Sequence, residues 1–94
     1  MTEIVYKIFE TNEYLKRISK LNKGDAAFIQ NKLTLLVYPL LRIEPHFGNN
    51  IKKLVNYKPE TWRYRIGKYR LFFGINEHTK VVSILTVEFR KDAY

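Results

Sequence analysis

The spacing of apolar residues changes period along this chain, and the changes mark its elements. Ile4 to Phe9, reading IVYKIF, is β-branched and aromatic with partial alternation between polar flanks, which predicts a first strand. From Glu13 to Leu21 the apolar residues Tyr14, Leu15, Ile18 and Leu21 recur at helical spacing, while Lys16, Arg17 and Lys20 take the other face. Thr11 or Asn12 offers the N-cap. Asn22-Lys23-Gly24 breaks this helix, and Asp25 is placed to cap a second one. In that second helix Phe28, Ile29, Leu33, Leu36, Val37 and Leu40 form an apolar stripe, until Pro39 kinks or ends it. The segment Arg42–Asn50, with Pro45, Gly48 and two Asn, reads as a loop.

Everything after the loop has strand character. Lys53–Tyr57 is the weakest candidate, Thr61–Ile66 the strongest, and Tyr69–Ile75 and Val81–Phe89 follow, the last two separated by a turn over Asn76–Lys80. The expected fold class is therefore α+β: an antiparallel-rich sheet with an N-terminal strand, a two-helix hairpin packed on one face, then three to four C-terminal strands. Ninety-four residues allow one domain, residues 1–94, with little core to spare. No internal repeat, low-complexity tract or linker interrupts it.

The stretch Trp62-Arg63-Tyr64-Arg65-Ile66-Gly67-Lys68-Tyr69-Arg70-Leu71-Phe72-Phe73 joins two alternating segments at Gly67-Lys68, where glycine can take the positive φ of a tight hairpin turn. With those two as the turn, Ile66 faces Tyr69 and Arg65 faces Arg70, with Arg63 two residues along on the same side. Trp62, Tyr64, Ile66, Tyr69, Leu71 and Phe73 share the opposite face and are expected to pack on the helices. The other face gathers Arg63, Arg65 and Arg70 with Phe72 among them. Like charges directly opposite in a sheet are destabilising, so folding alone gives no reason to gather them, whereas a polyanion does. The planar guanidinium binds phosphate oxygens in pairs and stacks on bases.

Composition points the same way. Seventeen Lys and Arg stand against nine Asp and Glu, giving +8 and pI near 9.8, so nucleic acid or an acidic protein is the expected partner. Aromatic residues make up 15%; most fill the core, but stacking surfaces among cations suit single-stranded RNA. Cysteine is absent, which removes disulfides, thiolate catalysis and cysteine metal sites, and two histidines are too few for a histidine cluster; no metal or cofactor is expected. No apolar run is long enough for a membrane span, and the start MTEIVYKIFE lacks the features of a signal peptide, so a cytoplasmic, unprocessed chain is expected.

Three segments together, Asn50-Ile51-Lys52-Lys53-Leu54, the Trp62–Phe73 motif, and a last strand ending Phe89-Arg90-Lys91-Asp92-Ala93-Tyr94, resemble the RelE/ParE superfamily of toxins of type II toxin–antitoxin systems. The resemblance spans essentially the whole chain. It implies a ribosome-dependent endoribonuclease that cleaves mRNA in the decoding site and is neutralised by a cognate antitoxin encoded beside it. The functional residues of RelE toxins match Arg63, Arg65, Arg70, Arg90 and Tyr94 here. Lys52, Lys53, Lys68, Phe72 and Lys91 are expected to add RNA contacts. The sequence departs from the pattern where Phe89 replaces a histidine found in many relatives, which excludes a histidine acid or base there. Val55-Asn56 also replaces a basic-Gly pair.

Cleaving RNA without metal requires the 2′-hydroxyl to attack phosphorus, a base for its proton, donors for the charge on the phosphorane, and an acid for the leaving oxygen. Arginines meet the third need. Tyr94 serves either as a base, its phenolate favoured by neighbouring cations, or as a stacking platform for a nucleotide. His46 and His78 read as surface residues, and Glu60 and Glu88 as ion-pair partners spacing the like charges. Two alternatives stand beside the nuclease: a ParE-like inhibitor of DNA gyrase on the same fold, and a basic RNA-binding relative that cuts nothing.

Overall fold

The structure, a computed structural model, describes residues 5–89; Arg90, Lys91 and Tyr94 lie outside them. The described chain runs β1 (Lys7–Glu10), α1 (Asn12–Ser19), α2 (Lys23–Lys32), a π-helical turn (Leu33–Val37), α3 (Tyr38–Ile43), β2 (Ile51–Lys53), β3 (Trp62–Ile66), β4 (Tyr69–Asn76) and β5 (Val81–Phe89). The strands form one sheet in the order β1-β5-β4-β3-β2. β1 runs parallel to β5 and the other three pairings are antiparallel, as the α+β reading requires. Among the described residues no helix is long and apolar enough to cross a membrane.

Thr11 caps α1, accepting from the Tyr14 N–H at 3.2 Å. Asn22, not Asp25, caps α2, accepting the Asp25 N–H at 2.8 Å. Asp25 instead accepts the Tyr69 hydroxyl at 2.5 Å and ties the start of α2 to β4. Pro39 does not end the helical run, which continues to Ile43. Proline lacks the N–H for an α-helical bond, and the wide turn just before it, closed by Tyr38 N–H to Leu33 O, absorbs the mismatch. That turn also corrects the helix phase. Buried Ile29, Leu33, Val37 and Leu41 recur every four residues, a spacing that drifts by about 40° per step on an α-helix, and the wider turn takes up the drift.

The same phasing overturns half of the expected stripe. Phe28, Leu36 and Leu40 are 44–46% exposed, and Leu35 stands 80% exposed beside them. β2 also differs from expectation, forming at Ile51–Lys53 rather than Lys53–Tyr57, because it must face Trp62–Tyr64; the chain then turns, with Asn56 at φ 65°.

The core lies between the helices and one face of the sheet. Tyr14 and Ile18 of α1 and the α2–α3 series pack against Tyr64, Ile66, Tyr69, Leu71, Phe73, Val82, Ile84 and Val87. The face predicted for the hairpin is the one buried, with Trp62 half-buried at its end. Phe73 is fully buried and stacks with Trp62 at 6.5 Å. Phe73→Ala is expected to cost about 3–5 kcal/mol in a denaturant titration, a large share of the roughly 5–15 kcal/mol that holds a small domain together.

Below the sheet His46 fastens loop to turn. Its Nδ1 lies 2.6 Å from Glu44 and its Nε2 2.7 Å from Glu77, and Tyr6 donates to Glu77 at 3.0 Å. Burial works against the imidazolium charge, but the bonds to the two carboxylates outweigh it and raise the His46 pKa. The Glu44 pKa is lowered, first by its bond with His46, and the Glu77 pKa first by its bond with Lys80. A raised histidine pKa stabilises fully below the unfolded value of about 6.5 and ceases to as pH rises through the folded value. Thermal melting from mildly acidic to alkaline pH should therefore show a steeper loss for the native chain than for His46→Gln; equal slopes would remove the ion pairs as its cause.

A candidate nucleic-acid interface

Two rungs of the sheet organise the face turned away from the helices. One reads Lys52, Arg63, Phe72 and Thr86 across β2, β3, β4 and β5; the next reads Arg65, Arg70 and Glu88 across β3, β4 and β5. The hairpin register is the one the sequence predicts, with Arg65 opposite Arg70 and Ile66 opposite Tyr69. Gly67 holds it, adopting φ 55° at the first turn position, where hairpins favour glycine.

The partners on β5 depend on a β-bulge. Phe72 pairs with Thr86 but Phe73 with Ile84, leaving Leu85 as the extra residue. Strict alternation from Ile84 would bury Thr86 and Glu88 and expose Val87. The bulge inverts the phase, so that Val82, Ile84 and Val87 all reach the core while Thr86 and Glu88 join Phe72 and Arg70 on the other face.

The three arginines are not equivalent. Arg65 is exposed, Arg63 is half-buried and its Nη1 donates to Asn50 O at 3.2 Å, and Arg70 is 4% exposed. A buried guanidinium is held in one place, as a group that meets developing charge must be. Arg70 is therefore not a solvated member of the cationic face.

Helix α1 supplies what sequence reasoning missed. β1 covers β5 only from Val81 to Ile84. Beyond that, Thr11 Oγ1 donates to Ile84 O at 2.6 Å and Arg17 Nε donates to Val87 O at 3.0 Å, occupying the open edge. Arg17 Nε also lies 2.9 Å from Glu88 Oε2. With Lys16 and Lys20 it borders a shallow hollow of about 370 Å³ that Thr86 and Glu88 also line. The signal was present in the cationic side of α1, but only the fold brings that side to the edge of β5.

Other expected contacts fall elsewhere. Lys53 pairs across from Trp62, hence on the opposite face, and binds Glu60 at 3.0 Å, so Glu60 spaces no arginine. Lys68 sits in the hairpin turn with its ammonium over the Phe89 ring at 5.9 Å. Arg90, Lys91 and Tyr94 fall outside the described residues. Among the described residues no cluster of His, Asp or Glu is suited to hold a metal ion.

No family model matches the chain. No curated protein matches it. Solved structures do. The RelBE2 toxin–antitoxin complex of Mycobacterium tuberculosis contains a chain 25% identical, with TM-score 0.69, covering 93% of this chain and 100% of that one. A chain of the RelE–RelB complex of Pyrococcus horikoshii is 22% identical with TM-score 0.67, covering 92% and 96%. A mutant of Escherichia coli RelE in the free state is 20% identical with TM-score 0.66, covering 95% and 87%. The chain has the RelE-like toxin fold.

A face with this charge should bind single-stranded polyanions through counterion release. For a homopolymeric RNA the log of affinity is expected to fall linearly with log salt, and Arg65→Ala to reduce the slope by roughly 0.7. An unchanged slope would place the RNA elsewhere.

Proposed function

We propose that this chain is the toxin of a toxin–antitoxin pair and acts as a metal-independent endoribonuclease on mRNA bound to the ribosome in the cytoplasm. The observation that carries this reading is the pair of sheet rungs that sets Arg63, Arg65 and Arg70 around Phe72, with Arg70 buried. The RelE-like fold supports the assignment. The scissile phosphate lies against the arginines, and Phe72 offers a ring to an adjacent base. The 2′-oxygen attacks phosphorus and the 5′-oxygen leaves. The guanidiniums hold the charge that accumulates between the two events. Arg90 and Tyr94 complete the site in this reading, with Tyr94 as base or stacking partner and Lys52, Lys68 and Lys91 as contacts to flanking phosphates. Lys53 has no part in the arginine cluster.

The antitoxin belongs to the same proposal. The RelE–RelB complexes among the similar structures support it, as does the exposed ridge of Phe28, Leu35 and Leu36, an apolar surface of the kind that a partner's amphipathic segment covers.

The test is primer extension on a defined mRNA, with and without ribosomes. Cuts are expected only with ribosomes, and Arg70→Ala should slow them about 10²–10³-fold, the usual loss for one donor to a developing oxyanion. Cuts that survive Arg70→Ala unchanged would refute the site. Intact mRNA with trapped gyrase and broken DNA would move the chain to the gyrase inhibitors.

A further inference from the structure

A notch opens in the sheet beside the arginine face. Pairing of β3 with β4 ends at Trp62 and Phe73, whereas β4 continues to Asn76. A cavity of about 760 Å³ occupies the space that β3 leaves, walled by Glu60 and Trp62 on one side and by Gly74, Asn76 and His78 on the other, with Leu85 of the bulge also lining it.

Three features say what fits. The first is position. Gly74 follows Phe72 on the arginine-bearing face of β4, about 7 Å further along, whereas Trp62 and Lys53 stand on the opposite face, so the cavity is lined from both faces and meets the arginine face at Gly74.

The second is the glycine itself. Glycine weakens a strand interior, and its backbone here has no positive φ to require it. A Cβ at Gly74 would meet only Glu60 O, at 3.9 Å. Neither strain nor crowding demands glycine, and its effect is to keep the notch empty.

The third is chemistry. The Trp62 indole is fixed by Phe73, stacked at 6.5 Å, and by the His46 ring, edge-on at 5.5 Å, which makes a rigid aromatic wall. Lys53 lies 5.9 Å above the same indole but is paired with Glu60, and Glu77 adds a second carboxylate to the lining. This lining suits an uncharged ring better than a phosphate, while the arginine rungs suit the phosphate.

We propose that the notch is a nucleobase subsite, which receives one base of a single-stranded RNA whose backbone crosses the Arg63–Phe72 rung. The source of the base rests on the RNA reading above; the class of ligand does not.

Trp62 is the chain's single tryptophan, so its fluorescence reports the notch directly. The intact chain is titrated with the four 5′-mononucleotides, with ribose 5-phosphate and with a single-stranded oligoribonucleotide. Mononucleotides are expected to quench and ribose 5-phosphate to do nothing, with the oligonucleotide binding at least ~10-fold more tightly through its added phosphate contacts. Gly74→Leu fills the notch and should weaken mononucleotide binding at least ~10-fold, with Gly74→Ala giving a smaller loss. The melting temperature checks that each variant is folded; should Gly74→Leu not fold, the loss in Gly74→Ala decides. Quenching by ribose 5-phosphate equal to that by nucleotides, or unchanged affinity in the folded glycine variants, would overturn the subsite. Mononucleotides binding as tightly as the oligonucleotide would overturn its assignment to RNA in favour of a free nucleotide. Absence of mRNA cleavage with quenching intact would refute the nuclease and leave the notch standing.

Discussion

Arg65 and Arg70 face each other across the β3–β4 ladder, an arrangement that electrostatics opposes. What offsets it is the reverse side of the same hairpin, where Tyr64, Ile66, Tyr69, Leu71 and Phe73 are buried against the helices. Burying a large apolar side chain contributes about 1.5–3 kcal/mol, whereas a like-charge pair in a sheet costs about 1 kcal/mol or less. The core therefore wins and the cations are held together. A one-residue slip would bring the arginines into the core and the aromatics into water, so the register that builds the core also builds the cationic face.

β5 faces the opposite problem, since its sequence cannot satisfy both faces by alternation alone. The bulge at Leu85 resolves it by letting two phases of apolar residues reach one core. One consequence is that Glu88 stands across from Arg70 and within 2.9 Å of Arg17. The acid thus lies between cations from two different elements and lowers the repulsion that gathering them creates. A second consequence is that Leu85 borders the notch at the end of β4. One inserted residue thereby borders both the cationic rungs and the notch.

The helical layer carries more apolar surface than the sheet can cover. With Ile29, Leu33, Val37 and Leu41 turned inward, Phe28, Leu35, Leu36 and Leu40 are left in solvent. Together these side chains form an exposed apolar ridge. It lies on the helical layer, while the arginines occupy the opposite face of the sheet, so the two surfaces do not overlap.

By itself the sequence determined the elements whose pattern is local and repetitive: α1, the β3–β4 hairpin with its turn at Gly67-Lys68, the α+β class, and the co-facial Arg63, Arg65, Arg70 and Phe72. Alternation with period two and a glycine at a tight turn are properties of neighbouring residues and need no distant partner to be read. The tertiary structure decided everything that depends on a neighbour far along the chain. The start of β2 is set by its pairing with β3, and the persistence of the helix through Pro39 by a wide turn that keeps its buried face on the sheet. The face of Lys53, the alignment of Arg17 with the edge of β5, and the placing of Glu88 opposite Arg70 are likewise set from a distance. A bulge or a π turn changes phase by a single residue, and only the packing of the whole core fixes where that change falls.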